Sequence, residues 1–315
     1  PQWVLIKESD MSGNSWSLYD MMRDGTMGKH LRPNDSAAED GTSNEVLPQA
    51  TGFKLNTSSG RVNRGSNYIY IAIRRPMKTP ESGTEVFAMD TLGSTGDGNQ
   101  PGYRSPFPVD MGLKTSLTGN QRQISTRLLQ GTELLTESTA AEAASASKQF
   151  DYMNGTDTST ATSSVNMMWM LKRATGFMDA VAYSGTGTNP TNFSHNLNVV
   201  PELMIFKKRS ASDRWEIYSA ALGNSKRIDL NTNGAATTNT SIWGGTPTAT
   251  QFSLTDNPNV NQTGQTYISY LFATLAGVSK VGSYTGTGAD LNVDCGFSAG
   301  ARFILIKRTD STGDW

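Results

Sequence analysis

Cysteine is almost absent from this sequence. Cys295 is the only one in 315 residues, so no disulfide can form within the chain. It lies in Val293-Asp294-Cys295-Gly296-Phe297, a pattern typical of a strand end. Because an unpaired cysteine usually packs as a small hydrophobic residue, we predict a buried, unreactive thiol there.

Charge and long apolar runs are also scarce. Charged residues make up 17% of the chain and the net charge is −1, so the composition gives no electrostatic reason to expect nucleic acid or an anionic membrane as a partner. No apolar run approaches the roughly 20 residues that span a bilayer. The opening Pro1-Gln2-Trp3-Val4 has the features of neither an initiator methionine nor a signal peptide.

Small polar residues and aromatics take the place of charge. The chain has 31 glycines and keeps 11 Phe, 10 Tyr and 6 Trp among many Ser, Thr and Asn residues. This composition differs from that of disordered chains, which lack aromatic and β-branched residues. It is typical of all-β proteins with many short strands and polar turns.

A short apolar strand that ends in lysine recurs about every 100 residues. Tryptophan follows eight or nine residues later in three of the four copies, at Trp16, Trp215 and Trp315. The second copy has Ile124 near this place, which makes it the degenerate one. Fixed periods of this kind indicate repeated structural units. The four strands are Val4-Leu5-Ile6-Lys7, Met111-Gly112-Leu113-Lys114, Met204-Ile205-Phe206-Lys207 and Ile304-Leu305-Ile306-Lys307.

Other strands recur in the same phase, and together they predict the fold. An aromatic strand contains Phe53 or Phe252, and a long apolar strand follows it at residues 68–73, 165–171 and 267–272. About seven strands per unit, with turn signals between them, predict an all-β protein of tandem β-sandwich (jelly-roll-like) repeats of about 100 residues. The predicted units are 1–85, truncated at its start; 86–175, degenerate; 176–276; and 277–315, the first strands of a further truncated unit.

The recurring side chains have structural and functional interpretations. We predict that Trp16, Trp215, Trp315, Phe53 and Phe252 fill the sandwich cores, with a sugar-stacking platform as the alternative for the tryptophans. Lys207 and Lys307 are expected to snorkel at strand edges, with a ligand or interface contact, such as an intersubunit salt bridge, as the alternative. Trp243, in a glycine-flanked loop, and Tyr103 are the aromatic candidates for contact with a ligand or at an interface, and for Trp243 a core or interface role is favoured over glycan stacking. Residues 136–148 have helix propensity and predict a helical connector.

Residues that perform chemistry are sparse. His30 and His195 fall at different phases of the repeat, so no metal site is expected from them, and no cofactor or catalytic residue is predicted. Asp110, Asp151 and Asp179 lie in or near the second unit. We predict turn or surface roles for them, with paired carboxylates of a glycoside hydrolase as the alternative.

Several of these phrases together resemble an uncharacterised repeat of tailed-phage virion proteins that is common in marine phages. The resemblance covers nearly the whole chain as successive units, although the second unit lacks its tryptophan. The phrases are Tyr284-Thr285-Gly286-Thr287-Gly288, Asp294-Cys295-Gly296-Phe297 and residues 301–315, with residues 173–179, 194–197 and 201–207 in the preceding unit.

The resemblance implies a non-enzymatic structural protein of the virion. A fibre, a tail appendage and a capsid decoration are equally open, and the implied partners are copies of the chain and other virion proteins. A host-receptor or carbohydrate-binding module on a phage fibre is the alternative, and a polysaccharide depolymerase a remote one. The expected location is the extracellular particle, after synthesis in the host cytoplasm.

Overall fold

The computed structural model describes residues 2–20, 27–40, 45–49, 52–74, 77–93, 100–119, 121–159 and 163–315. Nearly all regular structure among them is antiparallel strand. The exceptions are a one-turn helix, α1 (Pro258–Asn261), and two short 3-10 turns at Gly83–Glu85 and Arg127–Leu129. The predicted all-β class with sandwich-like repeats is therefore confirmed.

The first unit has a four-stranded sheet and a two-stranded sheet. The large sheet has the order β3-β2-β1-β6, and β4 pairs with β5. The strands are β1 (Trp3–Glu8), β2 (Ser17–Asp20), β3 (His30–Leu31), β4 (Val46–Pro48), β5 (Phe53–Leu55) and β6 (Tyr68–Ile73).

The second unit has a six-stranded sheet of order β12-β11-β10-β9-β14-β7 and a small β13-β8 pair. Its strands are β7 (Phe87–Leu92), β8 (Tyr103–Arg104), β9 (Met111–Ser116), β10 (Arg122–Thr126), β11 (Thr132–Leu135), β12 (Ala143–Ala144), β13 (Gly155–Thr156) and β14 (Ser163–Leu171).

The third unit repeats this plan, with the order β15-β22-β17-β18-β19-β20 and a small β16-β21 pair. Its strands are β15 (Met178–Ser184), β16 (Thr191–Ser194), β17 (Leu203–Lys208), β18 (Trp215–Ser219), β19 (Lys226–Asp229), β20 (Thr237–Thr238), β21 (Gln251–Leu254) and β22 (Thr266–Phe272).

The three large sheets have equivalent strands in the same order. β6, β14 and β22 correspond, as do β1, β9 and β17. β14 and β22 each pair on their second side with the strand that opens their unit, β7 or β15, whereas no strand in the described part of the chain pairs with the second side of β6. The unit boundaries at residues 85, 175 and 276 remain predictions.

Each large sheet of the second and third units has two buried faces because successive side chains of a strand point to opposite sides. The inner face of the third sheet packs on the β16-β21 pair, through Phe206, Tyr267, Phe252 and their neighbours. The outer face packs on the second unit, where Ile205, Ile217 and Tyr270 meet residues such as Ile124 and Leu134. One continuous core therefore joins the second unit to the third.

The strand register corrects one sequence assignment. Lys7 pairs with Ile69, and Lys207 pairs with the equivalent Ile268. The matching place in the second unit, opposite Met167, belongs to Thr115. Lys114 lies one residue earlier and therefore on the other face of the sheet, so it is not the fourth copy of the recurring lysine.

Three local predictions are wrong. Residues 136–148 form turns and the short strand β12 rather than a helix. Residues 277–315 contain no strand, and Ile304, Leu305 and Ile306 are exposed by 68%, 44% and 50%. Cys295 is only partly buried and lies outside any strand. In the other units the equivalent strands pair with neighbours on both sides, and no described strand lies beside residues 304–307.

Candidate functional site

The lysine and tryptophan of the third unit meet at the start of a hairpin. Lys207 on β17 pairs with Trp215 on β18, and the lysine Nζ lies 6.0 Å from the indole ring centroid. Nζ donates hydrogen bonds to the carbonyl oxygens of Asp213 (2.7 Å) and Thr139 (3.0 Å). Lys207 is fully buried, so the predicted snorkelling at a strand edge is wrong, and the side chain instead joins the third unit to the second.

The indole of Trp215 makes a second link to the same part of the second unit. Its Nε1 donates to the carbonyl oxygens of Leu135 (3.0 Å) and Ser138 (3.1 Å). The side chain is fully buried and belongs to the core between the two units. The tryptophan is thus a core residue of the junction rather than of a single sandwich.

Backbone hydrogen bonds complete this junction. Asp213 N–H donates to Thr139 O (2.8 Å), and Glu142 N–H donates to Arg209 O (2.8 Å). The Arg209 guanidinium also pairs with the Glu142 carboxylate at 2.8 Å. These contacts explain why the segment around Thr139 is not helical, since its backbone groups bond to the third unit instead of to each other.

We call residues 207–215 and 307–315 the docking hairpins, and residues 135–142 and 229–236 the acceptor loops. The second hairpin meets its loop as the first does. Lys307 Nζ lies 5.9 Å from the Trp315 ring centroid and donates to Gly313 O and Thr232 O. Trp315 Nε1 donates to Asp229 O at 2.9 Å.

The backbone links also repeat at the second junction. Gly313 N–H donates to Asn233 O at 2.8 Å, and Ala236 N–H donates to Thr309 O at 2.9 Å. The two backbone bonds and the tryptophan bond therefore correspond position by position, from Leu135, Thr139 and Glu142 to Asp229, Asn233 and Ala236. The lysine acceptor shifts by one residue, from Thr139 O to Thr232 O. This recurrence identifies the hairpin and loop as a site with a common geometry at two junctions.

The first and second units have only parts of this arrangement. Lys7 Nζ donates to Asn14 O (2.7 Å) within its own hairpin, and Trp16 is half-buried. Neither side chain hydrogen-bonds another unit among the described residues. In the second unit Thr115 occupies the lysine place, and its partner Arg122, rather than Ile124, occupies the tryptophan place. The degenerate unit thus lacks both side chains of the docking hairpin.

The buried lysine should make stability depend on pH. Burial lowers the pKa of Lys207 from its ordinary 10.5 to about 8. Between these values the unfolded chain binds the proton more tightly, so raising the pH favours the folded state. We expect the free energy of unfolding of the wild type, relative to a Lys207→Met variant, to rise by about 1–2 kcal/mol from about pH 7 to about pH 10, allowing for solvent screening.

Urea unfolding of both proteins at each pH measures this difference, in which the titrations common to both chains cancel. A difference that stays constant or falls with increasing pH would contradict a buried ammonium at this junction.

Two of the three candidate carboxylates are part of an ion-pair network between the second and third units. Arg173 Nε donates to Asp179 Oδ1 at 2.5 Å, and Asp179 is fully buried. The backbone N–H of Arg173 donates to Asp110 Oδ2 at 2.7 Å, and Arg127 Nε lies 3.3 Å from Asp110 Oδ1. This geometry gives both carboxylates a structural role. Asp151 is half-buried and accepts a hydrogen bond from Gln130 Nε2 at 2.9 Å.

The aromatic candidates for ligand contact are buried. Trp243 is 5% exposed, lies edge-on to Tyr218 and donates from Nε1 to Lys226 O at 2.8 Å. Tyr103 is fully buried in the core of the second unit. Neither ring presents a face on which a sugar could stack.

The remaining predicted core residues differ in burial. Phe252 is buried in the third unit, whereas Phe53 is half-buried at the edge of the first core. Trp315 is half-buried and packs against the junction core, but Trp16 joins no core cluster. The expectation of a core role is therefore wrong for Trp16, whose indole meets no acceptor loop among the described residues.

The histidines do not share an environment. His30 is buried beside Tyr19, with ring centroids 5.5 Å apart, and burial lowers its pKa. His195 is buried beside Phe252, with Nε2 3.2 Å from Thr248 O, and burial lowers its pKa too. In the described part of the chain, no group of three or more His, Cys, Asp or Glu side chains is placed to hold a metal ion.

Sequence reasoning identified the donors of the docking hairpin but missed the acceptors. Main-chain carbonyls such as those of Leu135 and Thr139 carry no side-chain signal. The Arg173–Asp179 pair was not predicted either, because an arginine and an aspartate six residues apart have no recognisable sequence pattern.

These features define an all-β tandem-repeat protein whose units are joined by a recurring docking hairpin. The chain belongs to the family described as a domain of unknown function, DUF7483, whose model matches residues 1–76 and 152–315. The unmatched part, residues 77–151, includes β9 and β10, where the lysine and tryptophan of the hairpin are missing. No curated protein and no solved structure matches the chain. None of the helices among the described residues is long and apolar enough to cross a membrane.

Proposed function

We propose that this chain is a non-enzymatic structural protein of a tailed-phage virion, in which tandem β-units form a fibre, a tail appendage or a capsid decoration. The observation that carries the proposal is the docking hairpin, which meets its acceptor loop in the same way at two successive junctions. A repeated junction of fixed geometry is what a semi-rigid array needs, because the stability of such an array is the sum of its units and their interfaces.

The contacts at these junctions support a structural role for the array. Each combines a tryptophan, a lysine and two backbone hydrogen bonds, so the orientation of a unit is set by directional contacts as well as by apolar packing. The ion pairs of Arg173 add a further fixed point between the second and third units. The candidate carboxylates Asp110 and Asp179 are paired with Arg127 and Arg173 in this network, which favours a structural role over acid–base chemistry for both.

The test is to locate the chain in purified particles of a tailed phage that encodes it. Antibodies raised against the 315-residue chain, used with immunogold electron microscopy and mass spectrometry, should find it at discrete external positions. The position of the label separates a fibre or appendage from a capsid decoration. A chain that is abundant in the lysate but missing from purified particles would overturn the proposal.

Polysaccharide cleavage provides an independent check of the non-enzymatic part. The purified chain and an Asp151→Asn variant are incubated with capsular polysaccharide of the host, and new reducing ends are measured. We expect no cleavage by either protein. Cleavage by the wild type that disappears in the variant would establish a depolymerase instead.

A further inference from the structure

A lysine and an aspartate lie against each other in the interior of the second unit. Lys148 is 2% exposed and Asp157 is 1% exposed. The lysine Nζ lies 3.2 Å from Asp157 Oδ2. The carboxylate of Glu133, on β11, lies beside the same amine, with Oε2 3.9 Å from Nζ. Charges taken out of water lose their hydration, so burial favours a reaction between the two groups that removes both charges.

The backbone holds the two side chains opposite each other. Asp157 N–H donates to Gln149 O at 2.9 Å, which ties the aspartate to the residue after the lysine. Gly131 N–H donates to Lys148 O at 2.9 Å, and Gly102 N–H donates to Asp157 O at 2.8 Å. Such fixed placement of an amine and a carboxyl group raises their effective concentration far above that of free groups in solution.

Each of the two carboxylates has one oxygen held by a donor and the other beside the amine. Asp157 Oδ1 accepts a hydrogen bond from the backbone N–H of Ser159 at 2.9 Å. Glu133 Oε1 accepts one from Gln123 Nε2 at 3.0 Å. The N–H of Ser159 is therefore placed to stabilise the negative charge that develops on Oδ1 when the carboxyl carbon of Asp157 is attacked.

We propose that Lys148 and Asp157 form an amide bond within the chain, with Glu133 as the group that transfers the protons. Nζ gives up a proton to Glu133 and attacks Cγ of Asp157, so that a C–N bond forms. The bond between Cγ and Oδ2 then breaks, and Oδ2 leaves as water. Oδ1 remains as the oxygen of the amide.

The step balances without an oxidant or a cofactor. An ammonium and a carboxylate become one amide and one water, and two protons pass from Nζ through Glu133 to Oδ2. The reaction occurs once in each chain, so it is not turnover of a substrate. It goes beyond the proposed structural function and does not depend on it.

The pair is a feature of the second unit. In the third unit Thr250 has the place of Lys148, since each lies two residues before an aromatic residue, Phe252 or Phe150. Lys148 precedes β13 and Asp157 follows it directly, so the amide closes the chain around this strand. The unit that lacks both side chains of the docking hairpin is thus the one that has a covalent tie.

A second amine close to this pair serves as a control. Burial, followed by the charge of Lys148, lowers the pKa of Lys114. In the part of the chain that the structure describes, however, Lys148 is the only lysine whose amine pairs with Asp157. Lys148 is therefore the nucleophile, and Lys114→Arg should leave the bond intact.

Trypsin digestion of the full chain tests the bond directly, because Lys148 is the only tryptic site between Arg127 and Lys172. A free amine allows cleavage there and gives two peptides. An amide blocks it, so we expect a single peptide, residues 128–172, that is lighter than its sequence by one water in mass spectrometry. Cleavage after Met153 with cyanogen bromide should then leave the fragments with Lys148 and Asp157 joined.

Matched variants separate the roles of the three side chains. Lys148→Arg keeps a cation beside Asp157, but a guanidinium stays protonated and is no nucleophile, so this variant should have its full mass. Glu133→Gln should slow bond formation by about 100-fold in chain made by cell-free translation, because proton transfer is lost. Glu137→Gln, at an exposed carboxylate just after β11, should not change the rate. Circular dichroism shows whether each variant folds.

The wild-type chain alone can overturn the proposal, so the test does not depend on the folding of a variant. A full mass together with normal cleavage after Lys148 would do so. A water lost equally from Lys148→Arg, or an unchanged rate in folded Glu133→Gln, would also contradict it. None of these results depends on whether the chain is found in particles, so the structural function keeps its own test.

Discussion

Replacing Trp215 by alanine should lower the free energy of unfolding by about 3–5 kcal/mol, the usual cost of removing a buried tryptophan. The side chain is fully buried in the core shared by the second and third units. Its loss also leaves the carbonyls of Leu135 and Ser138 without their indole donor. Urea unfolding followed by far-UV circular dichroism measures the change.

Two variants identify the origin of this loss. Trp215→Phe keeps most of the apolar volume but removes the N–H donor, so it should cost less than alanine. Trp16→Ala removes the equivalent side chain of the first unit, which is half-buried and contacts no acceptor loop in the described part of the chain. We expect it to cost less than half as much as Trp215→Ala. Similar losses at both tryptophans would contradict a role of Trp215 in the junction.

Replacing Arg173 by methionine should destabilise the chain by about 3–5 kcal/mol, because it leaves a buried carboxylate without its cation. Asp179 is fully buried and would keep only the backbone N–H groups of Ala180 and Asn196, at 2.9 and 2.7 Å. Methionine retains much of the apolar length of arginine, so the charge is the main change. The readout is again the free energy of unfolding in urea.

A double variant provides the control. Arg173→Met with Asp179→Asn removes both charges, so it should be more stable than Arg173→Met alone. Both side chains pair in one network, so their effects should not add. The free energy of unfolding is also measured for Asp179→Asn alone. If the double variant loses as much as Arg173→Met and Asp179→Asn lose together, Arg173 acts through packing rather than through its charge.

The period of the repeat predicted the strands of the three units correctly, but the further strands that it predicted in residues 277–315 are not formed. Strands such as β1, β17 and β22 fall where the alternating apolar pattern places them, because each buries one or both faces. Residues 304–307 have the same pattern as β1 but form no strand. Pattern predicts the propensity of a segment to be a strand, whereas a ladder also needs a neighbour with which to pair.

Local propensity failed where one unit contacts another. The helical composition around Ala140 is overridden by hydrogen bonds from the third unit. Lys207 looked like an edge cation because its sequence neighbours are charged, yet its amine finds two carbonyls inside the junction. In both cases a partner in the other unit, Thr139 for Lys207 and Arg209 for Glu142, lies more than 60 residues away in the chain.

Trp243 shows the limit of judging exposure from a loop sequence. The glycines after it left a projecting ring open beside the favoured core or interface role, and the backbone turns the indole inward to meet Lys226 O. The direction of a loop side chain depends on the strands that flank the loop, which single-residue patterns do not encode.

The acceptor loops receive the lysine and tryptophan of the docking hairpins through peptide carbonyls. Every residue type supplies such an oxygen, so the loop can change its side chains at Ser138 or Asn233 without losing the bond. After duplication or exchange of a unit, the loop could therefore still accept these hydrogen bonds, provided that the new hairpin has the lysine and the tryptophan. Arrays built in this way can lengthen, shorten and recombine unit by unit.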